Sequence, residues 1–271
     1  PYYIPKARFG YKYGNAELID GLQKDGLWEA YHQFAMGNCA DHTASEMKIS
    51  REEQDEFAFN SHKKAVAAQE QGKFKNEIFP VEIPQRKGDP VIFDKDECPR
   101  GNISMEALAK LRPAFEKDGT VTAGNASGIN DGAAAVVLAE ASYAEKQGLA
   151  LMARLLSYAF AGVDPAYMGL GPVPAVRKAL KAAKMTLNDI DMIELNEAFA
   201  SQAIGCMREL GIETDRPNEL GSGISLGHPI GCTGARQMGS GMNHMQRKDY
   251  NTGIITMCIG GGMGMAMIVE R

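Results

Sequence analysis

The chain has 271 residues, 44% hydrophobic and 23% charged, with 30 Gly and 12 Pro, proportions that suit a chain able to bury a core and exclude a fibrous or disordered one. Its 29 Lys and Arg against 34 Asp and Glu give a net charge of −5, so no global field draws it to nucleic acid. No apolar run approaches the ~20 residues of a membrane span, and five cysteines without a CxxC pair favour neither a disulfide framework nor a zinc ribbon; a cytoplasmic protein with no membrane, nucleic-acid or metal partner is expected.

The chain begins at Pro1 without a charged segment leading into an apolar one, so no secretory signal is expected in it, and it is expected to be a piece of something longer. Residues 1–118 are polar, with few Val and Ile runs to make a sheet core. Within them Ser50-Arg51-Glu52-Glu53 is a capping box that predicts a helix to about Gln71, with Phe57, Ala58, Ser61, Ala65 and Ala68 on one face and Gly72 ending it. Pro84, Lys87-Gly88-Asp89-Pro90, Pro99 and Gly101 predict loops over 84–103, with short strands around Val81 and Val91. From Gly119 onward apolar runs alternate with helical patterns, as in an α/β protein. Strands are predicted at 132–139, 151–160, 190–195, 253–258 and 263–270, and helices at 173–184, 197–210 and 233–248. The first of these helices has Pro174 in its first turn and an apolar stripe of Ala175, Val176, Ala179, Leu180 and Ala183. The last two strands flank Gly260-Gly261-Gly262 and read as a hairpin.

Four stretches can carry chemistry. His228 sits in the Gly/Pro turn Gly227-His228-Pro229-Ile230-Gly231-Cys232-Thr233-Gly234-Ala235-Arg236 just before a helix; it is either a solvated loop histidine or a group aimed at a ligand. Cys258 ends a strand at a glycine run, where a thiol is either inert packing or a group facing backbone N–H donors. Asn196, in Asn196-Glu197-Ala198-Phe199-Ala200, lies at a strand C-terminal edge, where α/β proteins bind ligands, or else it only caps its helix. The small residues of 119–132 suit a surface against a flat ligand or a close-packed loop.

Taken in order, NEAFA, GHPIGCTGAR and CIGGGMG resemble the thiolase family, and the likeness runs the length of the chain from Tyr2-Tyr3-Ile4-Pro5-Lys6-Ala7-Arg8. The resemblance implies a layered αβαβα fold of two similar α/β halves, each with a five-stranded sheet. The N-terminal half would be incomplete here: 1–129 the inserted loop domain covering coenzyme A, 130–151 a remnant of that half's last strand region, and 152–271 the C-terminal domain. It implies acetyl-CoA C-acetyltransferase activity, a reversible Claisen condensation of two acetyl-CoA to acetoacetyl-CoA and CoA, with no tightly bound cofactor and a dimer or tetramer. His228 would activate the nucleophilic thiol and, with a water held by Asn196, form one oxyanion hole. Cys258 would be the acid/base, and the Gly260 N–H part of a second oxyanion hole. Leu27, Met36, Arg100, Phe115, Ala123, Ser127, Met168, Ala198 and Phe199 would line the coenzyme A groove, and Ala35 replaces the family's usual histidine beside the methionine. None of Cys39, Cys98, Cys206 and Cys232 matches the acyl-accepting cysteine, so this chain alone is expected to be inactive. Met168 favours a short acyl chain, whereas Cys232-Thr233 also occurs in long-chain relatives. The alternatives are a broad-range 3-ketoacyl-CoA thiolase and a non-catalytic CoA-binding module, which would need none of Asn196, His228 and Cys258.

Overall fold

The computed structural model describes residues 1–271. Its elements include, in chain order, helices α1 (Met36–Glu46) and α2 (Arg51–Glu70), strands β1 (Val81–Ile83) and β2 (Val91–Phe93), strand β3 (Arg154–Gly162), helix α3 (Pro172–Ala183), strand β4 (Met192–Leu195), helices α4 (Ala200–Leu210), α5 (Gly223–Leu226) and α6 (Thr233–Lys248), and strands β5 (Thr252–Ile259) and β6 (Met263–Glu270). The principal sheet has four strands in the order β3-β6-β5-β4. β6 runs antiparallel to both β3 and β5, while β4 and β5 are parallel. A parallel pair needs a long crossover, and α4, α5 and α6 supply it.

Local chemistry explains most of this. Ser50 accepts from the Glu53 N–H and the Glu53 carboxylate accepts from the Ser50 N–H, closing the predicted box on α2. Pro172 and Pro174 preorganise the first turn of α3, whose buried Val173, Ala175, Val176, Ala179 and Leu180 join Ile193, Leu195, Ile204, Ile254 and Ile268 in the main core. Every residue of β4 is buried, as a strand covered on both faces must be. β1 and β2 pair antiparallel where short strands were expected. No helix is long and apolar enough to cross a membrane.

Three expectations are corrected, and one helix is added to them. Residues 132–139 form no strand; Val137 and Leu138 are 95% and 77% exposed. An apolar run becomes a strand only where a neighbour supplies backbone partners, and the sheet stops at β3, whose Tyr158 and Phe160 are themselves exposed. The sheet has four strands rather than five, because Gly211, Pro217, Gly221, Gly227 and Pro229 break the chain between β4 and α6 into turns and the short α5. The helix expected from 197 starts at Ala200. Helix α1 was not anticipated: its buried face is Met36, Gly37, Cys39, Ala40, Asp41, Thr43 and Ala44, too small and mixed to give an apolar stripe.

One contact fixes the sheet against the turn preceding α3. A Cβ on Gly264 would lie 2.0 Å from the Gly171 carbonyl carbon, and one on Gly171 would lie 2.2 Å from the Met263 oxygen. Gly264 is paired with Cys258 across the hairpin, so this backbone-on-backbone approach also seats the strand carrying that thiol. Gly264→Ala is expected to destabilise the protein by roughly 1–3 kcal/mol through overpacking, read as a lower urea midpoint with an unchanged m value.

Candidate active site

Asn196 follows β4 directly, and its N–H donates to Thr256 O of β5 at 3.0 Å, carrying the parallel ladder one residue past Leu195. Residues 196–199 stay outside the helix: Ser127 N–H donates to Ala198 O at 3.0 Å, Ala200 N–H donates to Asn125 O at 2.9 Å, and Ala126 bridges Phe199. The N-cap of α4 is therefore Phe199, and the reading of Asn196 as a helix cap falls. The Asn196 side chain is fully buried, with its Oδ1 unpartnered and its Nδ2 3.3 Å from His228 Nε2. A Cβ on Gly223 would lie 2.8 Å from Asn196 Oδ1 and 2.6 Å from Glu197 O, so only glycine lets α5 lie so close.

His228 is held on three sides. Gly227 turns the chain at φ +88°, His228 N–H donates to Asn130 Oδ1 at 3.2 Å, and Nδ1 lies 2.7 Å from Thr233 Oγ1. Thr233 Oγ1 itself donates to Pro229 O at 2.9 Å. It therefore accepts from Nδ1–H, which leaves the Nε2 lone pair to accept from Asn196 Nδ2. Burial, aided by the Arg236 charge, pushes the imidazole down to about 4, so it is neutral at neutral pH with a free Nε2.

Cys258 lies two residues beyond Thr256 on β5, hence on the same face of the strand. It packs against buried Met36, Cys39 and Met168, with Leu27, Phe34 and Phe199 around them, and burial pushes its thiol up to about 12. Four residues predicted for the groove, Leu27, Met36, Met168 and Phe199, thus converge on the predicted acid/base. Phe115 joins them edge-on to Phe199, ring centroids 6.3 Å apart, and covers Gly37, where a Cβ would meet its ring at 2.1 Å. Ser127 and Ala198 are tied by the hydrogen bond above. A Cβ on Gly260 would lie 2.9 Å from the Met36 methyl, which brings that glycine to the same cluster. Arg100 and Ala123 are exposed and outside the cluster; Arg100 N–H donates to His62 Nδ1 at 3.1 Å. The reading of the sequence missed Asn130, Thr233 and Cys39. Only Thr233, five residues after the histidine at a helix start, carried a signal that spacing offered.

Comparison with known proteins covers the whole chain. Residues 1–142 match the family model for the thiolase N-terminal domain and residues 149–271 that for the thiolase C-terminal domain. The chain is 52% identical over 271 residues to the acetyl-CoA acetyltransferase of Pseudomonas aeruginosa, covering 100% of this chain and 69% of that protein. It is 50% identical to the one of Cupriavidus necator with the same coverage. Among solved structures it resembles the Bacillus anthracis acetyl-CoA acetyltransferase at TM-score 0.93 and 44% identity, over 100% of this chain and 68% of that one. It also resembles human mitochondrial 3-ketoacyl-CoA thiolase in complex with CoA at TM-score 0.90 and 36% identity, over 100% and 67%.

The depressed histidine has a measurable consequence. His228 and His62 are both pushed down to about 4, chiefly by burial, against ~6.5 in an unfolded chain. Below that value the unfolded state binds protons that the folded state refuses, so each histidine's contribution to stability falls as pH drops from about 6.5 towards 4, by up to about 1.4 kcal/mol per pH unit. Glu194, which burial pushes up to about 7, acts in the opposite sense over the same range, because its folded form takes up a proton before the unfolded one does. The histidine contribution is therefore read ring by ring: an NMR titration of the His228 ring is expected to stay flat through pH 6.5.

Proposed function

The chain belongs to the thiolase family, and from that premise we propose that the protein is an acetyl-CoA C-acetyltransferase in which His228, Asn196, Cys258 and the Gly260 N–H carry the chemistry. The observation that carries this reading is the 3.3 Å contact of Asn196 Nδ2 with the unprotonated His228 Nε2, set on the strand edge where Asn196 is bonded to the strand of Cys258. A CoA-binding module would need neither a free imidazole lone pair nor a buried amide aimed at it.

The resting protonation states define the proton traffic. His228 Nε2 takes the proton of the acyl-accepting thiol as that sulfur attacks the acetyl-CoA carbonyl. Cys258, a protonated thiol at rest, gives its proton to the departing CoA sulfur. It is then a thiolate, able to remove a methyl proton from the second acetyl-CoA and become a thiol again. The negative charge on the second thioester oxygen is met by His228, now Nε2–H, and by a water held by Asn196; such donors act most strongly in a dry, low-dielectric site. The carbanion attacks the acetylated sulfur's carbonyl, with Gly260 N–H as a donor to the tetrahedral oxygen, and His228 returns its proton to the sulfur released. No net proton is gained or lost.

None of the other four cysteines suits the acyl acceptor. Cys39 and Cys206 are buried with thiols pushed up by desolvation, Cys98 is pushed up by burial and Asp96, and Cys232 is buried. These 271 residues by themselves are therefore expected to lack turnover, the acceptor thiol belonging to the complete protein. The loop domain over 1–129, the N-terminal remnant over 130–151 and the C-terminal domain over 152–271 are part of the same proposal, as are the coenzyme A contacts of Arg100 and Ala123. Acetyl-CoA, acetoacetyl-CoA and CoA are the substrates and products. Met36 and Met168 fill the space beside Cys258, which supports a short acyl chain over a broad-range 3-ketoacyl substrate. Five free cysteines support a cytoplasmic setting, and the exposed apolar residues along β3 support assembly into dimers or tetramers.

In the full-length protein, Cys258→Ser is expected to lower condensation about 10²–10⁴-fold, the usual range for one acid–base group. Covalent acetylation, followed by intact mass, is expected to be slowed, because Cys258 also protonates the departing CoA sulfur, but still to go to completion. Exchange of the acetyl-CoA methyl protons into D₂O, followed by NMR, is expected to vanish, and persistent exchange would remove Cys258 from its role. The 29.3 kDa chain assayed alone with acetoacetyl-CoA and CoA is expected to show no thiolysis; turnover at that mass would place the acceptor among the five cysteines. Equal turnover of acetoacetyl-CoA and a longer 3-ketoacyl-CoA would overturn the short-chain assignment.

A further inference from the structure

Resting on the reading above, we propose that Glu197 is a positioning residue for the oxyanion pair, its buried carboxylate locking the Asn196 backbone to the segment that delivers His228 and to helix α2. Glu197 is 2% exposed and surrounded by donors. Oε2 accepts from Ser61 Oγ of α2 at 2.6 Å and from Ile224 N–H of α5 at 3.3 Å, and Oε1 accepts from Asn218 Nδ2 at 2.9 Å. Ile224 lies four residues before His228, and Glu197 lies one residue after Asn196. The clamp therefore spans the two chain segments whose separation sets the 3.3 Å contact of Asn196 with His228.

An amide cannot take the carboxylate's place. Asn218 Oδ1 accepts from Leu195 N–H at 2.9 Å and its Nδ2 donates to Leu195 O at 2.8 Å, so its amide orientation is fixed with Nδ2 towards Glu197. Glutamine at 197 can place its oxygen towards Ser61 and Ile224, but its NH₂ then faces the Asn218 NH₂. Turned over, its oxygen accepts from Asn218 and its NH₂ can donate to Ser61 Oγ, whose own proton then goes to Ser225 Oγ at 2.8 Å, but the Ile224 N–H is left facing its nitrogen. Either arrangement buries one donor against another, and such a group moves rather than remain unpaired. The displaced atoms would be those joined to Asn196.

A cavity on the far side of the same carboxylate adjoins it. It has a volume of about 590 Å³, lies between α2, α4 and the 212–217 turn, and counts Ser61, Phe57, Lys64, Met207 and Glu197 among its lining residues. Removing the Glu197 side chain would connect this cavity to the clamp and admit a small carboxylate.

The test uses the full-length protein, with wild type, Glu197→Gln, Glu197→Ala and Ser61→Ala assayed for acetoacetyl-CoA thiolysis. Glu197→Gln is expected to lower kcat by up to roughly 100-fold, the cost of a small misplacement at a reacting centre, with KM for acetoacetyl-CoA little changed. Ser61→Ala, which buries no mismatched donor and serves as the variant that folds, is expected to lower kcat several-fold in the same way. Formate is expected to restore part of kcat to Glu197→Ala, and chloride at equal ionic strength is not. Unchanged kcat in Glu197→Gln and Ser61→Ala overturns the inference, and so does lost activity that tracks a lost melting transition without formate rescue. An inactive wild type would instead overturn the functional reading on which the inference rests, and take it down too.

Discussion

The hydrogen bond from Asn196 N–H to Thr256 O, 3.0 Å long, is the constraint on which the site depends. It extends the parallel pairing of β4 and β5 just beyond the sheet's covered centre, to the edge where strand C-termini leave room for a ligand. Because β5 continues into the hairpin with β6, the same register that fixes Asn196 also fixes Cys258 and the turn at Gly260. Sliding β4 by one residue would turn the Asn196 side chain to the opposite face of the strand, away from His228. The alternative register is disfavoured because Met192, Ile193 and Leu195 are already buried at 2% exposure or less.

Close backbone approach then brings the third group in. The crossover after β4 must return over the sheet within a few turns, and it does so through glycines that permit contacts no Cβ would survive. Gly223 lets α5 lie on the Asn196–Glu197 backbone, and Gly227, at positive φ, swings His228 over while touching Asn130. The first part of the chain takes part as well. Asn130 holds the His228 backbone, Phe115 closes over Gly37, and α1 supplies Met36 and Cys39 beside Cys258. The polar region 1–118 and the α/β region that follows are thus joined at the site itself.

Much of this was legible in the residues, and for identifiable reasons. The box at Ser50, the proline start of α3 and the glycine-split hairpin are local devices, complete within a few residues, and each stands where periodicity and caps put it. Residues 132–139 misled because strand formation is not local: their apolar character was real, but no neighbour in this chain offers them backbone partners. α1 was invisible because it packs with Ala, Cys and Thr rather than with a stripe of large side chains. Ser61 was counted on the apolar face of α2; it is buried there, though as the donor to Glu197, a partner 136 residues away that no pattern within the helix reveals. At the site, Asn196, His228 and Cys258 were each ambiguous alone, and their order along the chain singled them out. Thr233 and Asn130 set the histidine's tautomer and height through contacts that exist only after folding.

The site's electrostatics follow from the same packing. Desolvation penalises the charged form of any group, so one cause acts in opposite directions on the two proton carriers, lowering the imidazole to about 4 and raising the thiol to about 12. At rest both are neutral, and the site holds a base without a proton beside an acid with one. These are the two states that the proposed transfer of an acyl group from one sulfur to another starts from. In that proposal His228 takes a proton and Cys258 loses one, so that an imidazolium and a thiolate stand in the same low-dielectric site, where their attraction is far stronger than in water. The proposed thiolate, costly to bury, regains a neutral form by taking a proton from carbon, with the imidazolium in place to face the charge on the thioester oxygen. The apolar wall of Met36, Met168 and Phe199 therefore does more than fill space beside Cys258: by burying that thiol among apolar side chains it keeps it protonated at rest.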